Sequence, residues 1–165
     1  MTMQLASSKC AGLFGIVVRT FERNAIYQHC ELVFSDSVSF SCVGNEGIKA
    51  FGVRKKRIVF DDGWDLIDLP FIGAASEQRM RDYAEGMRGK PYDFASLAGV
   101  MFRAGRLLPN AYICSECVQL ILAYQGWWES EMDRFVTPTE LARMVATDPP
   151  DDGYVRDGAI WRKAA

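Results

Sequence analysis

Histidine is nearly absent: His29 is the only one in 165 residues, so any chemistry that needs an imidazole base has a single address. Long apolar runs are also missing. The longest stretches near the N-terminus fall well short of the roughly 18 residues that a membrane span requires, so no transmembrane segment is expected. No strong charge excess exists either. The net charge is −2, which removes the electrostatic footprint of a nucleic-acid binder. Cysteines number five, an odd count scattered from Cys10 to Cys117, which is unlike a disulfide framework and favours free thiols. Internal repeats, linkers and low-complexity tracts are lacking too.

What is present is ordinary for one globular unit: 49% hydrophobic, 24% charged and 12% aromatic residues. Residues 1–165 read as a single domain with room for a sizeable core. One basic run, Arg54-Lys55-Lys56-Arg57, reads as a solvated turn or strand edge. Residues 11–18 (AGLFGIVV) resemble a short signal core after Lys9. Arg19, Glu22 and Arg23 follow at once, however, and no small-x-small cleavage pattern appears. No signal peptide is therefore expected. The better reading is an amphipathic helix over 12–27 with Phe14, Val17, Val18 and Phe21 inward.

Taken in order, residues 1–10 read as a loose start before that helix. His29 to Phe34 reads as a strand, Ser35-Asp36-Ser37 as a turn, and Val38 to Val43 as a second strand, together a hairpin. Gly44-Asn45-Glu46-Gly47 makes a turn, residues 48–60 hold one or two strands, and Asp61-Asp62-Gly63 turns again. Trp64 to Leu69 reads as an edge strand before Pro70. Ser76 is placed as the N-cap of a helix stopped by Gly89 and Pro91, with Met80, Tyr83, Ala84 and Met87 as its apolar stripe. Residues 94–104 read as a short helix and 106–110 as a loop. A helix from Cys114 is ended by Gly126, and Thr137-Pro138-Thr139-Glu140 is a capping box with proline at the first helical position. The tail after Pro149-Pro150 reads as irregular, with Tyr154, Ile160 and Trp161 packing back. Strands followed by helices give the α+β class with an antiparallel sheet.

The chemistry concentrates near Cys114. Cys114, Cys117, Val118, Ile121 and Leu122 recur at i, i+3, i+4, i+7 and i+8, one helix face. A thiol in the first turn of such a helix meets free N–H groups and the positive end of the helix dipole, which favour the thiolate. His29 lies 85 residues upstream, on a strand where His29, Glu31 and Val33 share a face. A carboxylate two residues along can orient the ring and raise its basicity. Ser39 and Ser41, sharing a face of the next strand, are alternative hydrogen-bond partners. The plain structural alternative is a half-buried hairpin histidine satisfied by a backbone carbonyl. Cys114 and Cys117 also form a Cys-x-x-Cys pair. A zinc site would need a second close pair, and Cys10, Cys30 and Cys42 are scattered. A thioredoxin-like pair would follow the first strand of a βαβ unit, which is not seen here. Cys117 reads as a small core residue. Trp127 and Trp128 read as core or rim aromatics.

Three segments together resemble the circularly permuted branch of the NlpC-type papain-like cysteine hydrolases, the YiiX/YaeF-like group. Gln28-His29-Cys30-Glu31-Leu32-Val33-Phe34 is similar to its histidine strand. Gly89-Lys90-Pro91-Tyr92-Asp93 is similar to its Gly-x-x-Tyr-Asp element, and Ile113-Cys114-Ser115-Glu116 to its Cys-Ser-Glu motif. The order is histidine first and cysteine late, over roughly residues 13–145, and the His-x-Glu form looks most like phage and prophage members.

The resemblance implies a permuted papain-like fold with Cys114 as nucleophile, His29 as base and Tyr92 as a site-lining hydroxyl. Glu31 is favoured as third member, with Ser39 and Ser41 as alternatives. It implies no cofactor and no metal. The substrate would be a small-molecule, peptide or lipid-like amide or ester: a murein peptide bond or an acyl lipid. The setting would be cytoplasmic or phage-associated, with the phage particle as the partner in the second case. The reading from a different class is a non-catalytic phage structural or binding module that keeps the fold.

Overall fold

The computed structural model describes residues 2–44, 52–69, 72–95, 108, 110–124 and 136–147, together with the backbone of 154–157 and 160–163. Strand β1 (Met3–Lys9) opens the chain, followed by helix α1 (Gly12–Phe21), β2 (Tyr27–Val33), β3 (Val38–Val43), β4 (Gly52–Arg57) and β5 (Trp64–Leu69). Helices α2 (Ala74–Met87), α3 (Cys114–Ala123) and α4 (Pro138–Thr147) come next, then the short pair β6 (Tyr154–Asp157) and β7 (Ile160–Lys163). The five-stranded sheet runs β4-β3-β2-β1-β5, and every pairing in it is antiparallel. The class is α+β, as the order of strands and helices implies.

One face of the sheet carries Leu5, Leu32, Phe40 and Cys42. Against it pack Met80 and Ala84 of α2, Val118, Ile121 and Leu122 of α3, and Leu141 and Val145 of α4. Each fully buried leucine or isoleucine here contributes about 1.5–3 kcal/mol over an exposed one. Helix α3 lies on β2 and β3, so its first residue comes down beside the start of β2.

The turn between β2 and β3 follows from its residues. Asp36 Oδ1 accepts from Val38 N–H at 3.2 Å, and Ser37 takes φ 64°, which its short polar side chain tolerates. The capping box at α4 forms as read. Glu140 N–H donates to Thr137 Oγ1 at 3.1 Å, and Thr137 N–H to Glu140 Oε2 at 3.2 Å. The stripe on α2 is also as read, with Met80, Ala84 and Met87 buried.

Several expectations are corrected. Residues 3–9 are an interior strand of the sheet, not a loose start, because β5 returns to pair along β1's other edge. Helix α1 ends at Phe21 rather than near residue 27, and its orientation is reversed. Gly15 is its one buried residue, while Phe14, Val17 and Phe21 are exposed and Val18 is half-buried. The cause is contact distance: a Cβ on Gly15 would lie 2.8 Å from the Cys10 carbonyl carbon, so the helix is seated by its bare backbone. Gly73, not Ser76, precedes the first turn of α2, and Ser76 Oγ accepts from Arg79 Nη2 at 3.0 Å. The tail is not irregular throughout, since β6 and β7 form an antiparallel pair. Helix α3 stops at Ala123, while Gly126, Trp127 and Trp128 lie outside the described residues, as do the turn at 45–47 and most of the 94–104 helix.

Candidate active site

The site begins with an irregularity in the β1–β2 ladder. Ser8 pairs with His29 but the next residue, Lys9, pairs with Tyr27, so Gln28 is an extra residue on β2. A bulge of this kind re-aims the side chains around it. Gln28 itself turns to the neighbouring loop, where its Oε1 accepts from Ala11 N–H at 3.2 Å. His29 follows, 22% exposed at its side chain, with Trp64 edge-on at 6.0 Å between ring centroids.

The β2–β3 ladder then stops short. Only Leu32↔Phe40 and Val33↔Ser39 are paired, and beyond them Ser41 Oγ donates to the Cys30 carbonyl at 2.6 Å. Ser39 Oγ donates to the Lys56 carbonyl at 3.0 Å and is also among the neighbours that lower the Glu31 pKa. The structure brings neither hydroxyl to the imidazole. It brings Glu31, whose Oε1 lies 3.1 Å from His29 Nε2. With Nε2 so engaged, the other ring nitrogen is left for a second partner, and Cys114, in the same cleft wall, is the strongest influence raising the imidazole pKa.

Cys114 is the first residue of α3, behind Ile113 in extended conformation (ψ 173°). Ile113 has no side-chain acceptor, so only half a capping box forms: Glu116 Oε2 accepts from Ile113 N–H at 3.4 Å. The first-turn N–H groups of a helix have no acceptors within it, and Cys114 opens that turn. Cys30 of β2 is the neighbour that most lowers the Cys114 pKa.

The Tyr92 segment is fixed on two sides. Val53 N–H donates to the Lys90 carbonyl and Gly89 N–H to the Val53 carbonyl, each at 2.9 Å. Gly52 permits this, with φ +130° and a position where a Cβ would stand 2.2 Å from Lys90 O. On the other side Asp93 N–H donates to Tyr112 O at 2.9 Å and Tyr112 N–H to Pro91 O at 3.1 Å. The chain two residues ahead of the nucleophile candidate is thereby tied to the segment that carries Tyr92.

The basic run, read as a solvated turn or strand edge, falls on β4 at the edge of the sheet. Lys55, Lys56 and Arg57 are exposed, but Arg54 turns inward and pairs with the fully buried Glu31 carboxylate, Nη2 to Oε1 at 2.7 Å. Period-two alternation was the signal that separates Arg54 and Lys56 from their neighbours.

These charges set the protonation states. Burial opposes charge on His29, but the Cys114 sulfur and then Glu31 outweigh it and push the imidazole up to about 10. The hydrogen bond from Cys30 draws the Cys114 thiol well below its ordinary value, burial resists, and the His29 charge adds to the fall. Burial would raise Glu31, but His29 and Arg54 hold it below the usual carboxylate range. Burial raises the other four thiols, Cys10, Cys30, Cys42 and Cys117. A thiolate–imidazolium pair backed by a carboxylate is the resulting electrostatic arrangement. It opens on a cleft of about 740 Å³ whose walls include His29, Cys114, Tyr92, Phe14, Trp64 and Phe94.

The chain matches no protein-family model, no curated protein and no solved structure.

Proposed function

We propose that this chain is a papain-like cysteine hydrolase of the circularly permuted NlpC kind, acting on an amide or ester. The observation that carries the reading is the series thiol, imidazole and carboxylate at one wall of a cleft, with His29 Nε2 held 3.1 Å from Glu31 Oε1. The Cys114 thiolate attacks the substrate carbonyl, and N–H groups of the first turn of α3 face the developing oxyanion. The His29 imidazolium gives its proton to the departing amine or alcohol, leaving a thioester on Cys114. His29 then takes a proton from water, the hydroxide displaces the sulfur, and acid and thiolate are released. Glu31 holds the ring in the tautomer and orientation that both steps need. Tyr92 lines the substrate side. The mixed walls, with Trp64, Phe14 and Phe94 beside the polar series, suit an acyl lipid or a murein peptide.

The test is to incubate the full chain with an activated acyl ester, quench in acid and measure intact mass. One acyl group on Cys114, absent from Cys114→Ala and lost in His29→Ala, is expected. Absence of any adduct under conditions where Cys114 is alkylated would overturn the hydrolase reading in favour of a binding module.

A further inference from the structure

Helix α1 presents its apolar side to solvent. Leu13, Ile16, Val17, Thr20 and Phe21 fall at i, i+3, i+4, i+7 and i+8, a single stripe. Leu13 is 83% exposed, Ile16 64% and Phe21 49%, values opposite to those of a core-facing stripe. Thr20, the one polar member, donates its hydroxyl to the Ile16 carbonyl at 2.9 Å, so its polar group is satisfied within the helix. Gly15 seats the helix on the Cys10 backbone, where a Cβ would stand 2.8 Å from the carbonyl carbon, and the helical spacing puts the stripe on the opposite side.

The stripe continues into the candidate site. Phe14 belongs to α1 and lines the same cleft as His29 and Cys114. Val59, 96% exposed, follows Ile58 of the cleft wall, and Phe94, 53% exposed, lines the cleft against the Tyr92 ring. The exposed charges at the end of α1 are basic, while Asp61 and Asp62 are exposed in the turn between Ile58 and Trp64 on the far part of the rim. Arg19 and Arg23 are exposed at the end of α1, whereas Glu22 is half-buried and accepts from Thr137 Oγ1 at 3.1 Å. Lys56 lies on the other flank of the cleft. At ten residues α1 is about 15 Å long, too short to span a bilayer, and no described helix is long and apolar enough to do so.

We propose that α1 and the cleft rim form a docking face for an anionic lipid surface. Leu13, Ile16, Val17 and Phe21 enter the boundary between headgroups and acyl chains, and Arg19, Arg23 and Lys56 meet the anionic headgroups. An interfacial helix combines these two features, an apolar face and cations beside it. The cleft mouth then faces the membrane, so an acyl chain leaving the bilayer meets Phe14 first. Docking does not require the Cys114 thiol, so it is tested apart from catalysis.

Cosedimentation of the full-length Cys114→Ala protein with phosphatidylcholine vesicles, with and without phosphatidylglycerol, reads the interaction directly. Binding is expected to the anionic vesicles, to weaken with added salt, and to fall by about tenfold or more in a Leu13→Ser/Ile16→Ser protein. Both positions are exposed, and circular dichroism of the double variant checks that the fold is retained. No binding to anionic vesicles, or binding indifferent to the double substitution, would overturn the proposal. Sedimentation velocity supplies the other refuting outcome: a wild-type dimer that becomes monomeric in the variant would assign the stripe to a second copy of the chain.

Discussion

Arg54 and Glu31 stand on strands that are not neighbours, yet they meet across β3 as a two-pronged pair. Nη2 lies 2.7 Å from Oε1 and Nη1 3.3 Å from Oε2. Ser41, in register with Arg54, is small enough to let the guanidinium pass over it. Arg54 therefore anchors the carboxylate that in turn orients His29. Arg54→Met strands a buried charge and should cost about 3 kcal/mol in urea unfolding, because breaking one side of a buried pair leaves the other uncompensated.

Thiol reactivity should separate Cys114 from the rest. With its pKa drawn down while the other four are pushed up, iodoacetamide at neutral pH should label Cys114 first. His29→Ala removes the neighbouring charge and should slow that labelling by about tenfold or more, read by peptide mass spectrometry. Equal labelling of all five thiols would contradict the pairing.

Stability should show a plateau in pH, falling on both sides. Below the unfolded imidazole value of 6.5, the unfolded chain carries protons on both histidine and thiol while the folded one keeps only the imidazolium proton. Stability then decreases as pH falls towards the lowered Cys114 value. Above 6.5, over the range where the folded Cys114 is ionised and the unfolded thiol still holds its proton, each state binds one proton and this pair contributes no slope. Above about 9 the unfolded thiol is also ionised while the folded imidazole holds its proton to about 10, so stability declines again. Glu31, with a depressed pKa, adds stability above the unfolded carboxylate value that is lost in acid. Urea midpoints measured across the range test the shape, and Cys114→Ala should remove the shoulder between 9 and 10.

Gly52→Ala should be costly for two reasons at once. The backbone is at φ +130° and the added carbon would meet Lys90 O at 2.2 Å, so the β4 junction must open. A loss of about 2 kcal/mol or more is expected in thermal or urea unfolding, with Tyr92 fluorescence shifting as its segment is released.

Thr137→Ala removes one half of the α4 capping box and should cost about 1 kcal/mol in the same measurement.

Much of this arrangement can be read without coordinates. Period-two spacing put His29 and Glu31 on one strand face, helical spacing put Cys114 at the head of a buried stripe, and the capping box located α4 to the residue. Strand β1 was hidden because Met3-Gln4-Leu5-Ala6-Ser7-Ser8 lacks β-branched and aromatic residues, so its strand character comes from partners on both edges. Arg54 was hidden inside a run of like charges, since composition averages over a face alternation that sends its members to opposite sides. The stripe of α1 was visible, but its direction was not: glycine contributes nothing to an apolar pattern, and here Gly15 decides which side is seated.

The order β4-β3-β2-β1-β5 also bears on the sequence of events in folding. Strands β2 and β3 meet across a short turn, a local contact that forms with little loss of chain entropy. Pairing β1 to β5 closes a loop from Lys9 to Trp64, and bringing Cys114 to His29 closes one of 85 residues. Such closures are intrinsically late, because their entropy must be met before their contacts stabilise anything. The hairpin that carries His29 and Glu31 needs no such closure. The thiol acquires its lowered pKa only where α3 docks beside Cys30 and His29, so a chain in which that contact is unmade carries an ordinary cysteine at position 114.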